Sequence, residues 1–332
     1  MKINKILTAL IAGASLGLSG QAFAAGTLAS TAVSNVATLS YTVNSSAVPS
    51  TSSQADFSVD AKVDLSLSSD NTPSADAGAT TNLEYTITNT GNSTQFFKLD
   101  SDGSDVFKLS VGDTVIVDGV LQLAPDAIVT FYLEQAVSDT AADGSTESYN
   151  VNARVSDAAG TYLAESTADK NASQTTLDDT FLVFAEATTD SALPLSGGTT
   201  RDGGFTAQGD ITVSAPVLTG TKTVVVKDDG LGGTTPFAIP GATVTYTIVI
   251  NSTGTKDATG VTFTDDLNTN APDLDFTTIS NIVVLDNADA ALTVTTDYTV
   301  TNDGTAAGII SLGLPDITTG EKLTVSFDID IK

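Results

Sequence analysis

The segment Asp100-Ser101-Asp102-Gly103-Ser104-Asp105 places three carboxylates around a glycine. Carboxylate oxygens are ligands that Ca²⁺ prefers, so Asp100, Asp102 and Asp105 are candidate calcium ligands. In an EF-hand loop the glycine comes sixth and a glutamate closes the loop, whereas here the glycine comes fourth. A polar β-turn is the favoured interpretation. A structural calcium ion is the one cofactor that the sequence leaves open.

Other catalytic chemistry is restricted by the residue types present. The chain has no His, no Cys and no Trp. This excludes Ser-His-Asp and Cys-His catalysis, and it excludes zinc sites built on His or Cys. A pair of facing carboxylates, as in a glycosidase, is the chemistry that remains, but aromatic residues that could stack on sugars make up only 6% of the chain. We therefore predict a protein that is not an enzyme, with a carboxylate-dependent hydrolase as the outside alternative.

Two lysines stand on predicted strands, Lys62 and Lys222. Surface domains that form isopeptide bonds also place a lysine on a strand. Such a bond needs a buried Asn or Asp partner and a catalytic acid, and no spacing in the sequence demonstrates them. A lysine that faces solvent is the commoner arrangement.

The charge of the chain limits its partners. The formal net charge is −27 at pH 7, and Arg occurs only at Arg154 and Arg201. Nucleic acid is bound by clusters of Lys and Arg, so we expect no nucleic-acid partner. The partners that we expect are other copies of the chain or other components of a cell surface or matrix.

The first residues predict export. Lys2 and Lys5 precede an apolar stretch that is followed by Ala22-Phe23-Ala24, the pattern of a signal peptide cleaved after residue 24. The apolar stretch is interrupted by glycines and is shorter than the ~20 residues of a membrane span. We expect no span after cleavage and an extracellular or cell-surface location, with the periplasm as an alternative.

A strand-and-turn phrase occurs twice. It reads Leu83-Glu84-Tyr85-Thr86-Ile87-Thr88-Asn89-Thr90-Gly91 and again Val244-Thr245-Tyr246-Thr247-Ile248-Val249-Ile250-Asn251-Ser252-Thr253-Gly254. Apolar side chains at alternate positions, ending in a polar turn with Gly, are typical of a half-buried strand. Many other short segments alternate in the same way, and none after the leader has a helical period. The fold class predicted is all-β, with two tandem Ig-like antiparallel β-sandwich domains.

The predicted boundaries follow from turns and prolines. A first, larger domain spans residues 25–215 and has a leading strand at 33–43, after which the Ser-rich stretch Ser45 to Gln54 has the composition of a loop or linker. A second domain spans residues 216–332, because Pro216 cannot donate to a strand ladder. We also predict a two-residue hairpin turn at Asp118-Gly119 and a central strand at Phe181 to Phe184.

The second domain resembles a known family. Pro240-Gly241-Ala242 leads into the second phrase, Val261-Thr262-Phe263-Thr264-Asp265-Asp266-Leu267 follows, and Gly320 to Phe327 closes the chain. This succession is similar to the prokaryotic cell-surface repeat known as "domain of unknown function eleven". The resemblance covers residues 216–332 well and residues 26–215 more loosely. It implies an Ig-like sandwich in a secreted, surface-attached or matrix protein, and it implies no reaction. Many relatives carry long arrays or wall-sorting tails, which are absent here, and this favours self-assembly or a partner.

The function predicted is that of a secreted structural or adhesive protein of the bacterial surface or extracellular matrix. The alternative is a subunit of a pilus-like extracellular filament assembled by strand donation. In that case the leading strand 33–43 would complete a sheet of the neighbouring subunit, instead of pairing inside its own domain.

Overall fold

The computed structural model describes residues 26–112, 115–166, 181–185, 202–271 and 273–332. Strands account for nearly all of its regular structure, and all but two of the strand pairings are antiparallel. The prediction of an all-β fold built from sandwiches is confirmed. The predicted signal peptide lies outside the described residues.

Thirteen of the strands precede Pro216. They are β1 (Ala32–Val43), β2 (Ser46–Ser58), β3 (Ala61–Val63), β4 (Leu65–Ser69), β5 (Ser74–Asp76), β6 (Thr80–Asn89), β7 (Gln95–Ser101), β8 (Phe107–Lys108), β9 (Val120–Leu123), β10 (Ile128–Ala136), β11 (Thr146–Ser156), β12 (Leu182–Phe184) and β13 (Gly204–Ser214).

Two sheets with the orders β4-β6-β10-β8 and β5-β13-β11-β7-β9 enclose one apolar core, and we call this unit the first sandwich. The first phrase forms its strand β6. Tyr85 lies opposite Phe131 on β10, and the two rings stack with centroids 5.7 Å apart. Leu83, Tyr85 and Ile87 are fully buried, as the alternation predicts.

Seven strands follow Pro216, together with one helical turn, α1 (Leu267–Asn270). The strands are β14 (Leu218–Asp228), β15 (Thr243–Ser252), β16 (Thr262–Asp266), β17 (Leu274–Leu285), β18 (Thr299–Asp303), β19 (Ile309–Gly313) and β20 (Lys322–Ile331).

Sheets with the orders β14-β15-β20-β17 and β16-β19-β18 enclose a second core, and we call this unit the second sandwich. The second phrase forms β15. Tyr246 lies opposite Phe327 on β20, with ring centroids 5.4 Å apart. The Tyr of each phrase therefore makes the same cross-strand aromatic pair, so the repeated sequence corresponds to a repeated packing unit.

The glycine that ends each phrase also has the same role in both sandwiches. A Cβ built on Gly91 would lie 2.3 Å from the carbonyl oxygen of Lys62, and one built on Gly254 would lie 2.3 Å from that of Ala215. In both cases the chain that enters the sandwich crosses the turn so closely that only hydrogen fits. The turn therefore requires glycine for lack of space.

The chain passes from one sandwich to the other at Ala215–Val217. Asp143 accepts hydrogen bonds here from the Ala215 amide at 2.9 Å and from the Thr255 hydroxyl. These donors lower the pKa of Asp143, with the Thr255 hydroxyl as the largest cause. The predicted boundary at Ala215-Pro216 falls between β13 and β14, and the division into independent domains stays a prediction.

Three local predictions are wrong. Ser45 to Gln54 is largely strand, within β2. Phe181 to Phe184 is not a central strand, because β12 pairs only with β3, in parallel. At Asp118-Gly119 both residues have positive φ, 52° and 66°, as a tight hairpin turn requires, but a 3-10 turn and an isolated bridge at Val115 replace the expected preceding strand.

Candidate interaction surface

Strands β1 and β2 form a two-stranded antiparallel ribbon that belongs to neither sheet of the first sandwich. We call residues 32–58 the arm. The leading strand predicted at 33–43 is half of this ribbon. It pairs within the predicted first domain, but with β2 and outside the sandwich.

The arm turns at Asn44-Ser45, where Val43 lies opposite Ser46 and both turn residues have positive φ, 49° and 68°. This is the backbone of a two-residue hairpin turn, for which Asn is a favoured first residue. The sequence signal for β2 was therefore Asn44 between two runs of β-compatible residues. The Ser-rich composition of residues 45–54, which is also typical of a loop, hides this signal.

The arm exposes apolar side chains that a sheet ordinarily buries. Leu39 is 64% exposed, Val36 is 55% exposed and Tyr41 is 52% exposed. Phe57 on β2 is also half exposed. An isolated two-stranded hairpin is at best marginally stable in water, and large exposed apolar patches mark interaction sites. The arm is thus a candidate surface for contact with another molecule.

The arm is almost uncharged. Asp56 is the only charged residue between Ala32 and Ser58, in a chain whose net charge is −27. Charged residues are depleted at the centre of protein interfaces, so this composition suits a contact surface. It also provides a region where a second acidic protein can approach with little repulsion.

Asn92 holds the base of the arm to the first sandwich. Its side-chain amide donates to the carbonyl oxygen of Thr27 at 3.1 Å and to that of Asp60 at 2.9 Å. Its Oδ1 accepts from the Lys62 amide at 2.7 Å, and the side chain is buried. One residue therefore binds the chain on both sides of the arm. Asn92 was not identified from the sequence, because its role depends on segments distant in sequence.

A second exposed strand is β14, one of the two outer strands of its sheet. Nearly every residue of β14 is exposed, including Val224 at 51% and Val225 at 66%. The loop that follows adds two exposed apolar side chains, Leu231 and Phe237. Asp229 fixes this loop, because its carboxylate accepts from the amides of both residues at 2.9 Å.

The predicted calcium ligands are separately engaged. Asp102 accepts from the amide and the side chain of Asn150, and Asp105 accepts from the amide of Ser101. Asp100 accepts from the Tyr162 hydroxyl and lies 3.4 Å from the Lys98 ammonium. No group of three or more carboxylates converges as a metal site in the described part of the chain. Structural calcium stays a prediction.

Asp100 and Asp105 also line a cleft of about 390 Å³, which they share with Asp118 and Lys98. The Arg154 guanidinium lies over the ring of Tyr162, 4.7 Å from the ring centroid. Burial, followed by the hydrogen bond to Asp100, raises the pKa of Tyr162. The Tyr162 hydroxyl therefore stays protonated and serves as a donor to the carboxylate.

The two strand lysines are both in ion pairs. Lys62 lies 2.6 Å from Asp64. Lys222 contacts Asp265 and lies over the ring of Tyr246, 4.6 Å from its centroid. Both lysines remain substantially exposed, unlike the buried lysine of an isopeptide site.

No helix within the described ranges is long and apolar enough to cross a membrane.

The chain matches no protein-family model. No curated protein matches it either. Among solved structures it is similar to native alpha-2-macroglobulin from Escherichia coli, with 17% identity and a TM-score of 0.24, over 55% of this chain and 20% of that one. A Salmonella alpha-2-macroglobulin mutant gives 14% identity and a TM-score of 0.22, over 57% and 9% of the two chains. The chain thus spans a fifth or less of either macroglobulin structure.

The chain is also similar to the chaperone–tip adhesion subunit pre-assembly complex from the archaic chaperone–usher Csu pili of Acinetobacter baumannii. The identity is 11% and the TM-score is 0.22, over 81% of this chain and 94% of that one. Similarity at this level carries no information about function.

Proposed function

We propose that this chain is a secreted, non-enzymatic structural or adhesive protein of the bacterial surface or extracellular matrix, which acts through protein contacts made by its arm. The observation that supports this proposal most directly is the arm itself, a ribbon with one charged residue and with half-exposed Val, Leu, Tyr and Phe side chains. The leader-like N-terminus supports export.

The arm also favours the second candidate, a subunit of an extracellular filament. Strand addition needs an extended segment that projects from its own sandwich and offers main-chain groups to a neighbour. The ribbon of β1 and β2 has this form, since it is paired only with itself. The difference from simple strand donation is that a hairpin, and not a single strand, is presented.

The test is deletion of the arm, which the hydrogen bonding at its base allows. The Val59 amide donates to the Thr31 carbonyl at 3.0 Å, so the two ends of the arm are already neighbours. Residues 32–58 can be replaced by Asn-Gly without displacing the base. An epitope-tagged chain is expressed in a bacterium, and the cell-surface and matrix fractions are compared with the medium.

We expect the complete chain to be retained at the surface or in the matrix and the armless chain to be released into the medium, with both showing the same sandwich melting transitions. A matched control is Ser53→Ala, a change at an exposed position of the arm that keeps its shape. Equal retention of the armless and complete chains would refute the proposal. Hydrolytic activity abolished by Asp118→Asn, with folding intact, would instead support the carboxylate-dependent hydrolase.

A further inference from the structure

Two long strand edges remain open in the described chain. The outer strands of the first sandwich, β4, β8, β5 and β9, have two to five residues each, and β16 and β18 have five each. β17 has twelve residues, but its ladder is interrupted by register shifts. Short or bulged edges are the ordinary protection against edge-to-edge pairing. β1 has twelve residues, and the one register shift in its ladder places the extra residue on β2. β14 has eleven residues and is regular from Leu218 to Val226, with a register shift only before Asp228. These two edges are therefore long and mostly regular.

Within the arm, β1 is the more open of the two edges. β2 contains Pro49, which has no amide hydrogen to donate, and the charged Asp56. Proline and charge are both features that discourage pairing along an edge. β1 contains neither, and along it Leu39, Tyr41 and Val43 occupy alternate positions.

The ladder between β14 and β15 shows which groups of β14 face outward. The register pairs Leu218 with Ser252, and one residue further along the Thr253 amide donates to the carbonyl of Val217 at 2.8 Å, which makes these two a hydrogen-bonded pair. Because antiparallel residues alternate between bonded and non-bonded pairs, Leu218, Gly220, Lys222 and Val224 direct their amides and carbonyls away from β15. These groups are available to a further strand.

The lysines of β14 do not block this edge. The Lys222 ammonium is turned toward Asp265 on β16, and the Lys227 ammonium lies 2.6 Å from Asp328 on β20. Both side chains therefore pair inside the second sandwich. The strand itself carries two lysines and one aspartate, a net charge of 2 − 1 = +1 in a strongly acidic chain. A nearly neutral arm and a weakly positive strand are surfaces on which two such chains can meet with little repulsion.

The two edges belong to opposite ends of the first sandwich. The arm is anchored beside Asn92, after the C-terminal end of β6. The second sandwich joins near the N-terminal end of β6, where Asp76 contacts Lys256 at 2.9 Å. Ten residues of β6 separate the two ends, a distance of about 30 Å at the rise of an extended strand. A contact between unlike surfaces at opposite ends repeats in one direction and does not close into a dimer.

We propose that β1 of one copy of this chain adds to the free edge of β14 in a second copy, which joins the chains head to tail. This inference rests on the proposed function and names the partner of the arm. β1 has twelve residues and the regular part of β14 runs over nine residues, Leu218 to Val226, so β1 is long enough for a ladder along this part of β14. The exposed apolar side chains of the arm then pack beside Val224 or Val225.

The first experiment measures assembly of the exported chain, residues 25–332, by sedimentation velocity and negative-stain microscopy across a wide concentration range. We expect the wild type to form linear multimers. Gly220→Pro removes one outward amide hydrogen without breaking the ladder to β15, and we expect loss of the multimers. The matched control is Gly220→Ala, which keeps the amide and adds a methyl group where no atom lies within 4 Å. It should assemble as the wild type does.

The second experiment uses the absence of cysteine from the chain. A chain carrying Leu39→Cys together with a cysteine at Lys222, Val224 or Val226 is oxidised, and the products are separated without reductant. We expect a ladder of covalent multimers for at least one of the β14 positions. A cysteine at Thr301 on β18, the outer strand of the other sheet, gives no ladder.

The outcomes separate the two proposals. Multimers that persist in Gly220→Pro and give no ladder at any β14 position would overturn the inference, while the arm would keep its role. A chain that is monomeric at every concentration, yet loses surface retention without its arm, would also overturn the inference, because the arm would then bind a different protein. Equal surface retention of armless and complete chains would refute the proposed function itself.

Discussion

The crossing at Gly254 allows a quantitative prediction for Gly254→Ala. The added Cβ would lie 2.3 Å from the Ala215 oxygen, 2.4 Å from the Val217 nitrogen and 2.9 Å from the Pro216 carbonyl carbon. These are backbone atoms of three consecutive residues, so no side-chain rotation can relieve the contact. The segment must instead move by about 1 Å to reach van der Waals distance, which strains its hydrogen bonds to Asp143 and Thr253.

Such overpacking costs about 1–3 kcal/mol. Replacing Gly by Ala also lowers the entropy of the unfolded chain, which returns roughly 0.4–1 kcal/mol. The net loss in the free energy of unfolding should be about 1.3 kcal/mol at the middle of these ranges and at most about 2.6 kcal/mol. For a unit the size of the second sandwich this corresponds to a decrease in Tm of roughly 3–10 °C.

The assay is urea unfolding followed by far-UV circular dichroism, because the chain has no Trp to report by fluorescence. The Gly220→Ala variant is the control, since nothing lies within 4 Å of its added methyl group and its stability should equal or slightly exceed that of the wild type. If Gly254→Ala and Gly220→Ala unfold at the same urea concentration, the explanation of glycine by lack of space is wrong.

Three further predictions concern polar groups. Asp328 is buried and accepts from Lys227, Thr245 and Asn281. Burial alone would raise its pKa, but these donors lower the pKa overall. Its contribution to stability is therefore complete above the carboxyl pKa of the unfolded chain, about 3.9, and is lost as the pH falls through the lower folded value. Asp328→Asn should destabilise the second sandwich by about 1–3 kcal/mol at pH 7. Urea titrations should show that the difference in the free energy of unfolding between wild type and variant becomes smaller in acid. A difference that does not change with pH would contradict this role. Asn92→Asp removes both hydrogen bonds that the side-chain amide donates at the base of the arm. Proteolysis between residues 26 and 60 should therefore accelerate, while the melting temperatures of the two sandwiches stay near those of the wild type. An unchanged rate of proteolysis would argue against the anchor. If Asp100, Asp102 and Asp105 hold calcium, chelation should lower the melting temperature of the wild type and not that of Asp102→Asn; an unchanged wild-type midpoint would count against a structural site.

Much of the sandwich architecture was predictable from local alternation. The last strand shows why, since Leu323, Val325, Phe327 and Ile329 alternate with polar residues and all four are buried. A strand that faces the core has to place apolar side chains at every second position, so a period of two residues is visible in the sequence. Val63, Leu65 and Leu67 alternate with polar residues in the same way, and all three are buried in the first core, on β3 and β4.

The arm could be predicted only in part, for a physical reason. Its first strand alternates like a buried one, although Leu39 and Tyr41 are exposed in this structure. Periodicity indicates which side chains favour burial, but it does not identify the molecule that covers them. The hydrogen bonds of the segment Asp100 to Asp105 could not be predicted either. The partners of Asp102 and Asp105 are backbone amides, and the Asn150 amide is brought near only by tertiary contacts, which composition does not reveal.

The position of β14 directly after the linker Ala215–Val217 has a mechanical consequence. In the head-to-tail chain that we propose, tension would enter β14 through the strand added at its edge and leave through Leu218 into the first sandwich. The load path would then bypass the core of the second sandwich. A pull along the strands would load the added ladder in shear, so that many hydrogen bonds share the force. The second sandwich could therefore carry tension between its neighbours while its own core stays unloaded.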